Sequence, residues 1–204
     1  MIKFIEKHPI SGPRTMPEKQ LLNDYKDRVP SVIINFWETY GFGKHSDGLF
    51  EIINPNEYEE IMSIWLGIKN QNRVPLVMTA FGDIFYHRKL TDTEEDISFI
   101  DVHYKNIAVV NWNSLEFFET DLCKDSFLIE YMDLLLFEEA LNKIGPLEPG
   151  EIYSFVPALA LGGAKELQYL DKANGIMHLR FFINFRFFFI KLNPDPSLEF
   201  VMKA

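Results

Sequence analysis

The residues that could carry chemistry are few. Five histidines, His8, His45, His87, His103 and His178, and one cysteine, Cys123, are the available soft ligands. None stands in H-x-x-x-H or C-x-x-C spacing, and a single thiol cannot build a thiolate cage. His87 and His103 fall in separate predicted strands, and nothing in the sequence brings them together. Serine catalysis would need a nucleophile on a strained elbow such as G-x-S-x-G, which the chain lacks. Gly162-Gly163-Ala164-Lys165 follows an apolar run but has neither the spacing of a phosphate loop nor the Ser or Thr that would hold magnesium. It reads as a tight backbone turn. Glu94 and Asp96 lie in a predicted loop, where water screens them, and no pocket that would raise a carboxyl pKa is apparent. The reading is therefore of a non-enzyme, with no catalytic residue, no metal ligand and no cofactor.

One charged feature fits a partner. Asp92-Thr93-Glu94-Glu95-Asp96 places four carboxylates in five positions. Asp101, at the end of the next strand, is grouped with it. The plain reading is a solvated loop. The functional one is a surface that meets the basic, phosphate-binding face of a nuclease, where complementary charge speeds encounter and excludes wrong partners. The whole chain carries a net charge of −10, which argues against nucleic-acid binding by the protein itself. A lone cysteine points to a reducing compartment. The start, MIKFIEKHPI, is not a secretory signal. The longest apolar run, Ile176 to Leu192, contains His178, Arg180, Asn184, Arg186 and Lys191, so it is not a membrane span. A cytoplasmic location is expected.

The elements that must position these groups suit a chain of 204 residues that is 47% hydrophobic and carries 19 phenylalanines. Residues 1 to 16 read as a loose lead-in. A helix starts near Pro17 and ends before Pro30, and a second is capped by Ser31, with Val32, Ile33, Phe36, Trp37 and Tyr40 on one face. Gly41 and Gly43 end it, Lys44 to Gly48 is a polar loop, and Leu49 to Ile53 is a short strand. Asn56 caps a helix to about Asn70. From Val74 the period becomes two: strands at 76–81, 84–88, 97–104 and 107–112, with Gly82-Asp83 as a two-residue turn. One face of the third strand is expected to turn polar through Asp101 and His103. Ser114 caps a short helix, and Asp125 to Ile144 is one helix stopped by Gly145-Pro146. Ile152 to Leu161 is extended, and a terminal helix begins near Ile176. This is an α+β fold: an antiparallel meander of about four or more strands flanked by N-terminal helices, with a smaller, mostly helical C-terminal region.

W-x-x-Y-G-F-G followed by D-G-x-F-x-x-x-N-P-x-E-Y, carried by Trp37, Tyr40, Gly41, Phe42, Gly43, Asp47, Gly48, Phe50, Asn54, Pro55, Glu57 and Tyr58, resembles the GAD-like domain of bacterial immunity proteins. A second segment resembles the conserved region that often follows it. Its matching residues are Tyr153, Phe155, Val156, Pro157, Ala158, Leu159, Leu161, Gly162, Gly163, His178 and Leu179. After Leu179 the chain departs from the pattern into a Phe-rich, Pro-interrupted tail. The resemblance implies a GAD-like region over 1–112 and an immunity-type region over 113–204 packed on it. It further implies stoichiometric binding of a cognate toxin protein, of the kind neutralised in type VI secretion of DNases. The signature residues are then scaffold, and the binding surface lies in less patterned loops. Two other readings stay open: a ligand-binding or regulatory α+β module with a small-molecule pocket, and an enzyme of unrecognised type.

Overall fold

The computed structural model describes residues 1–67 and 69–182. The Phe-rich tail singled out above lies outside them from residue 183. The N-terminal lead-in is ordered into α1 (Ile2–Lys7) and β1 (Ile10–Thr15). Helices α2 (Lys19–Tyr25) and α3 (Ser31–Tyr40) follow, then β2 (Phe42–His45), β3 (Phe50–Ile52) and α4 (Pro55–Leu66). Four longer strands come next: β4 (Arg73–Thr79), β5 (Ile84–Lys89), β6 (Glu95–Asp101) and β7 (Asn106–Asn111). The rest is α5 (Ser114–Glu116), a π-helical turn, α6 (Asp125–Met132), α7 (Leu134–Ile144), β8 (Glu151–Phe155), β9 (Leu170–Asn174) and a helix over 175–182, α8. Strands β1 to β7 form one antiparallel sheet in chain order, and β8 pairs with β9.

The meander expected from four or more strands extends to seven: the short strand expected at Leu49 to Ile53 joins it as β3, and β1 and β2 are recruited from segments with no strand pattern of their own. Lys44 and His45, expected in a polar loop, are buried in β2. Each is satisfied: Lys44 Nζ donates to the Glu151 carbonyl at 3.0 Å, and His45 Nδ1 lies 2.8 Å from the His8 carbonyl. Burying such groups is tolerable only with partners of this kind. Helix α3 ends at Gly41, whose φ is +73° and where a Cβ would lie 2.6 Å from the Thr15 carbonyl oxygen. Glycine is required there because β1 crosses so close.

The caps differ from those expected. Ser31 and Ser114 are first helical residues rather than caps, and Asn113 caps α5 by accepting from the Glu116 N–H at 2.9 Å. Asn54, not Asn56, caps α4, with Pro55 at its first position. That is the arrangement in which a missing proline N–H costs nothing. The helix stops at Gly67 in a left-handed conformation, short of Asn70. The β4–β5 connection is the four-residue Ala80–Asp83, with the Thr79 N–H donating to the Asp83 carbonyl; Phe81 within it is fully buried. The segment expected as one helix over 125–144 breaks at Asp133 (φ 52°, ψ 42°), a left-handed position that aspartate tolerates better than most residues. The extended run from Ile152 leaves strand after Phe155.

Both faces of the sheet are buried along its central strands β4 to β6, and His103, expected on a face turning polar, is buried too. One face packs Ile33, Phe36, Trp37, Phe85, Ile97 and Phe99 against Phe117, Leu128 and Phe137. The other packs Met78, Ile84, Tyr86 and Ile100 against Tyr58, Ile61 and Trp65 of α4 and Leu179 and Phe182 of α8. The region after residue 112 completes these cores: the Tyr153 N–H donates to the Ala80 carbonyl at 2.8 Å, and Phe155 stacks on Phe81. Each phenylalanine so buried contributes about 1.5–3 kcal/mol, which is why a Phe-rich sequence serves a two-sided sheet.

Candidate functional site

The acidic run divides at the β5–β6 hairpin. Asp92 and Glu94 are exposed in the tip; Asp92 is 98% exposed and has Lys89 at 3.3 Å. Thr91 Oγ1 accepts from the N–H groups of Thr93 and Glu94 and holds the tip's shape. Glu95 and Asp96, expected in the same loop, belong to strand β6, so the strand's period of two sends them to opposite faces. Glu95 is held by His87 Nε2 at 2.9 Å and by the Ser114 N–H at 2.8 Å. Burial raises its pKa, but those hydrogen bonds outweigh it and leave the carboxyl below its ordinary value. Asp96 is fully buried. It accepts from Arg88 Nε and Nη2, the latter at 2.5 Å, and from Ser98 Oγ at 2.8 Å. Asp101 accepts from the N–H groups of His103 and Tyr104 and closes the β6–β7 turn.

A cavity of about 410 Å³ opens beside the hairpin tip, between it and the 26–30 loop. Asp92, Glu94 and Glu95 line it together with Lys26, Arg28 and His87. His87, Glu95 and Ser114 are residue types from which a serine nucleophile can be built. Their order is wrong for that chemistry: the carboxylate stands between imidazole and serine, whereas proton abstraction needs the imidazole next to the hydroxyl. The three act as a clasp joining β5, β6 and the start of α5.

The signature residues gather elsewhere. Trp37 is core, packed edge-on against Tyr25 and Phe42. Gly43, Gly48, Asn54 and Tyr58 line two adjoining cavities of about 360 and 390 Å³, closed on the far side by residues 146–150. In their floor Lys44 Nζ lies 3.4 Å from Glu51. Burial lowers the Lys44 pKa and raises that of Glu51, each against the pull of the other. Pro55 opens α4. Gly163 is wedged under Pro157, whose carbonyl oxygen would lie 1.9 Å from a Cβ there, which supports the tight-turn reading of 162–165. Lys165 in that turn pairs with Asp133 at 2.6 Å.

His178 is buried in α8 and shares a 3.0 Å hydrogen bond with Ser154 Oγ. Its ring meets His103, whose Nε2 donates to the Phe81 carbonyl at 2.9 Å. Thus His103 is brought to His178 rather than to His87, which lies on the other face of the sheet. Among the described residues no group of three or more His, Cys, Asp or Glu is placed to hold a metal ion. No helix among them is long and apolar enough to cross a membrane. The Arg88–Asp96 pair and the Lys44–Glu51 floor escaped the sequence reading; a strand-period reading of 95–101 would have exposed the first.

Residues 2–100 match the family model of the GAD-like domain, and residues 113–186 match that of T6SS immunity protein Tdi1, C-terminal. Among solved structures, the crystal structure of Atu4351 from Agrobacterium tumefaciens is similar in fold, with a TM-score of 0.71. It is 19% identical, and the superposition covers 90% of this chain and 88% of that one. No curated protein sequence matches. The two family matches follow one another in the order in which the Trp37–Tyr58 and Tyr153–His178 signatures stand: a GAD-like domain, then a region similar to the C-terminal part of T6SS immunity protein Tdi1.

Proposed function

We propose that the protein is a cytoplasmic immunity protein that binds a cognate antibacterial toxin, a DNase effector of type VI secretion, and blocks it by one-to-one association without catalysis. The observation that carries this reading is the match of residues 113–186 to an immunity protein's C-terminal region. The net charge of −10 supports it, since a nuclease must present a basic face to its substrate. In this reading residues 1–112 are the scaffold and 113–204 the immunity-type region packed on it. An interface of about 1,600 Å² is the ordinary size for such a pair.

Co-expression with any nuclease encoded beside it is expected to yield a 1:1 complex and to protect cells from that nuclease. Failure to bind or protect against any neighbouring toxin sinks the reading. Within the complex, the exposed carboxylates Asp92 and Glu94 are the first contacts to test. Reversing both to lysine is expected to slow association about tenfold or more at low salt, with the difference fading as salt rises. Glu95, Asp96 and Asp101 are left intact in that test, because their hydrogen bonds hold the sheet. An unchanged association rate removes the hairpin tip from the interface.

A further inference from the structure

Lys44 and Glu51 stand where apolar residues would serve the fold as well. They lie directly opposite each other on β2 and β3, and the next residue across, Met78 of β4, is core. Both charges therefore project from the Met78 face of the sheet. Glu51 lines both of the adjoining cavities there, and Lys44 lines one of them. Replacing a buried ion pair with packed apolar side chains is often neutral or stabilising, so stability does not account for this one. Nor do the two groups satisfy each other. Lys44, only 8% exposed, directs one N–H to the Glu151 carbonyl. Its Nζ is 3.4 Å from Glu51 Oε2, which is buried and has no hydrogen-bond partner among the described residues. Burial shifts both groups toward their neutral forms.

A lone cation in this cleft would be repelled by Lys44, and a lone anion by Glu51. A ligand carrying both signs meets each with its opposite. In an α-amino acid the ammonium and the carboxylate hang from one carbon, which sets them about as far apart as Nζ and Oε2 stand here. Its carboxylate can take a second N–H of Lys44 while its ammonium serves the Glu51 carboxylate. Both are charge-assisted hydrogen bonds, the strong kind. The cavities, of about 360 and 390 Å³, are of the size that holds a small ligand. Leu141, Pro146 and Leu147 wall one, and Phe42, Tyr58 and Ile176 the other, so an apolar side chain finds contacts on either side. Asp47, Glu57 and Glu148 stand exposed at the rims and disfavour a ligand with further negative charge. Arg14 is there too, but its guanidinium donates to the Tyr40 carbonyl.

We propose that the cleft floored by Lys44 and Glu51 binds a free α-amino acid with an apolar side chain, held by its ammonium and carboxylate groups. This is additional to the immunity reading and does not depend on it. Calorimetric titration of the full-length protein with each of the apolar L-amino acids is expected to find at least one that binds 1:1 and raises the unfolding temperature as its concentration rises. L-Aspartate and L-glutamate are expected to bind at least about tenfold more weakly. For the best binder, the amine that lacks its carboxylate and the acid that lacks its ammonium should each lose about tenfold or more in affinity. Lys44→Met and Glu51→Gln should each do the same while keeping wild-type circular dichroism. No binding of any apolar amino acid to the wild type overturns the proposal. So does an amine or an acid that binds as well as the amino acid, or binding that both variants leave unchanged. Hydrogen exchange on the wild type covers the case in which a variant fails to fold. The best binder must slow the amides of 44–51 and 146–150, and protection confined to other segments overturns the proposal.

Discussion

Replacing Arg88 with alanine is expected to lower stability by about 3–5 kcal/mol at neutral pH, which is large for a side chain that is itself partly exposed. The loss comes from what stays behind. Asp96 is fully buried, and its two carboxylate oxygens are served by Arg88 Nε and Nη2 and by Ser98 Oγ. Without the guanidinium the carboxylate keeps one neutral hydrogen bond and no counter-charge. A buried charge left so is far costlier than the pair was beneficial. Asp96→Asn in the Arg88→Ala background should recover much of the loss at neutral pH. Denaturant unfolding of the wild type and the two variants at neutral pH measures this; an Arg88→Ala deficit below about 1 kcal/mol would show that the pair is merely a surface one.

That pair also shows where the sequence was opaque. The acidic run looked like a loop because four carboxylates in five residues suit water. Two of them are instead strand residues, and each is tolerable only because β5 supplies a partner: Arg88 directly across from Asp96, and His87 diagonally from Glu95, whose register partner is Lys89. Such partnership is a tertiary fact with no local signal. The same holds for β1, where Gly and Pro argue against a strand and only the pairing with β2 makes one. It also holds for β9, Leu170–Asn174, whose half-polar pattern is carried by β8. By contrast, the α3 face, the α4 face and the β4–β7 meander were legible. Their apolar residues repeat at helical or strand spacing, and the structure buries Ile33, Phe36, Trp37, Tyr58, Ile61 and Trp65 as that spacing requires. The signature glycines were legible for a different reason. Gly41 and Gly163 sit where a Cβ would meet backbone, a constraint that a family motif records and a propensity does not. The acidic tip, Asp92 and Glu94, was legible as exposed charge, and the clasp behind it was not.

His178 gives the second large effect. Its ring is buried against Phe182 and His103, with one nitrogen bonded to Ser154 Oγ and the other without a hydrogen-bond partner among the described residues. Burial first, and then the neighbouring His103, hold its pKa down at about 3 against an ordinary 6.5. Below 6.5 the unfolded chain takes up a proton that the folded chain refuses. The contribution of this group is thus intact above about pH 6.5 and drains away as pH falls towards about 3. Near pH 4 the loss amounts to roughly 3 kcal/mol. His103, His8 and His45, all lowered chiefly by burial, add in the same sense. Asp83 and Glu51, raised chiefly by burial, act in the opposite sense and favour the fold on the acid side. Wild-type acid unfolding therefore sums several groups, and the comparison that isolates His178 is with His178→Phe. That variant keeps an aromatic ring beside Phe182 and His103 but forfeits the Ser154 hydrogen bond, so at neutral pH it should be less stable by about 1 kcal/mol. Near pH 4 the order should reverse, with the variant more stable by roughly 2 kcal/mol. Two stability curves that run parallel from neutral to acid pH would show that His178 takes up its proton without leaving the core. The crossing of the curves, rather than either value alone, is what ties acid sensitivity to the joint where α8 closes over the sheet.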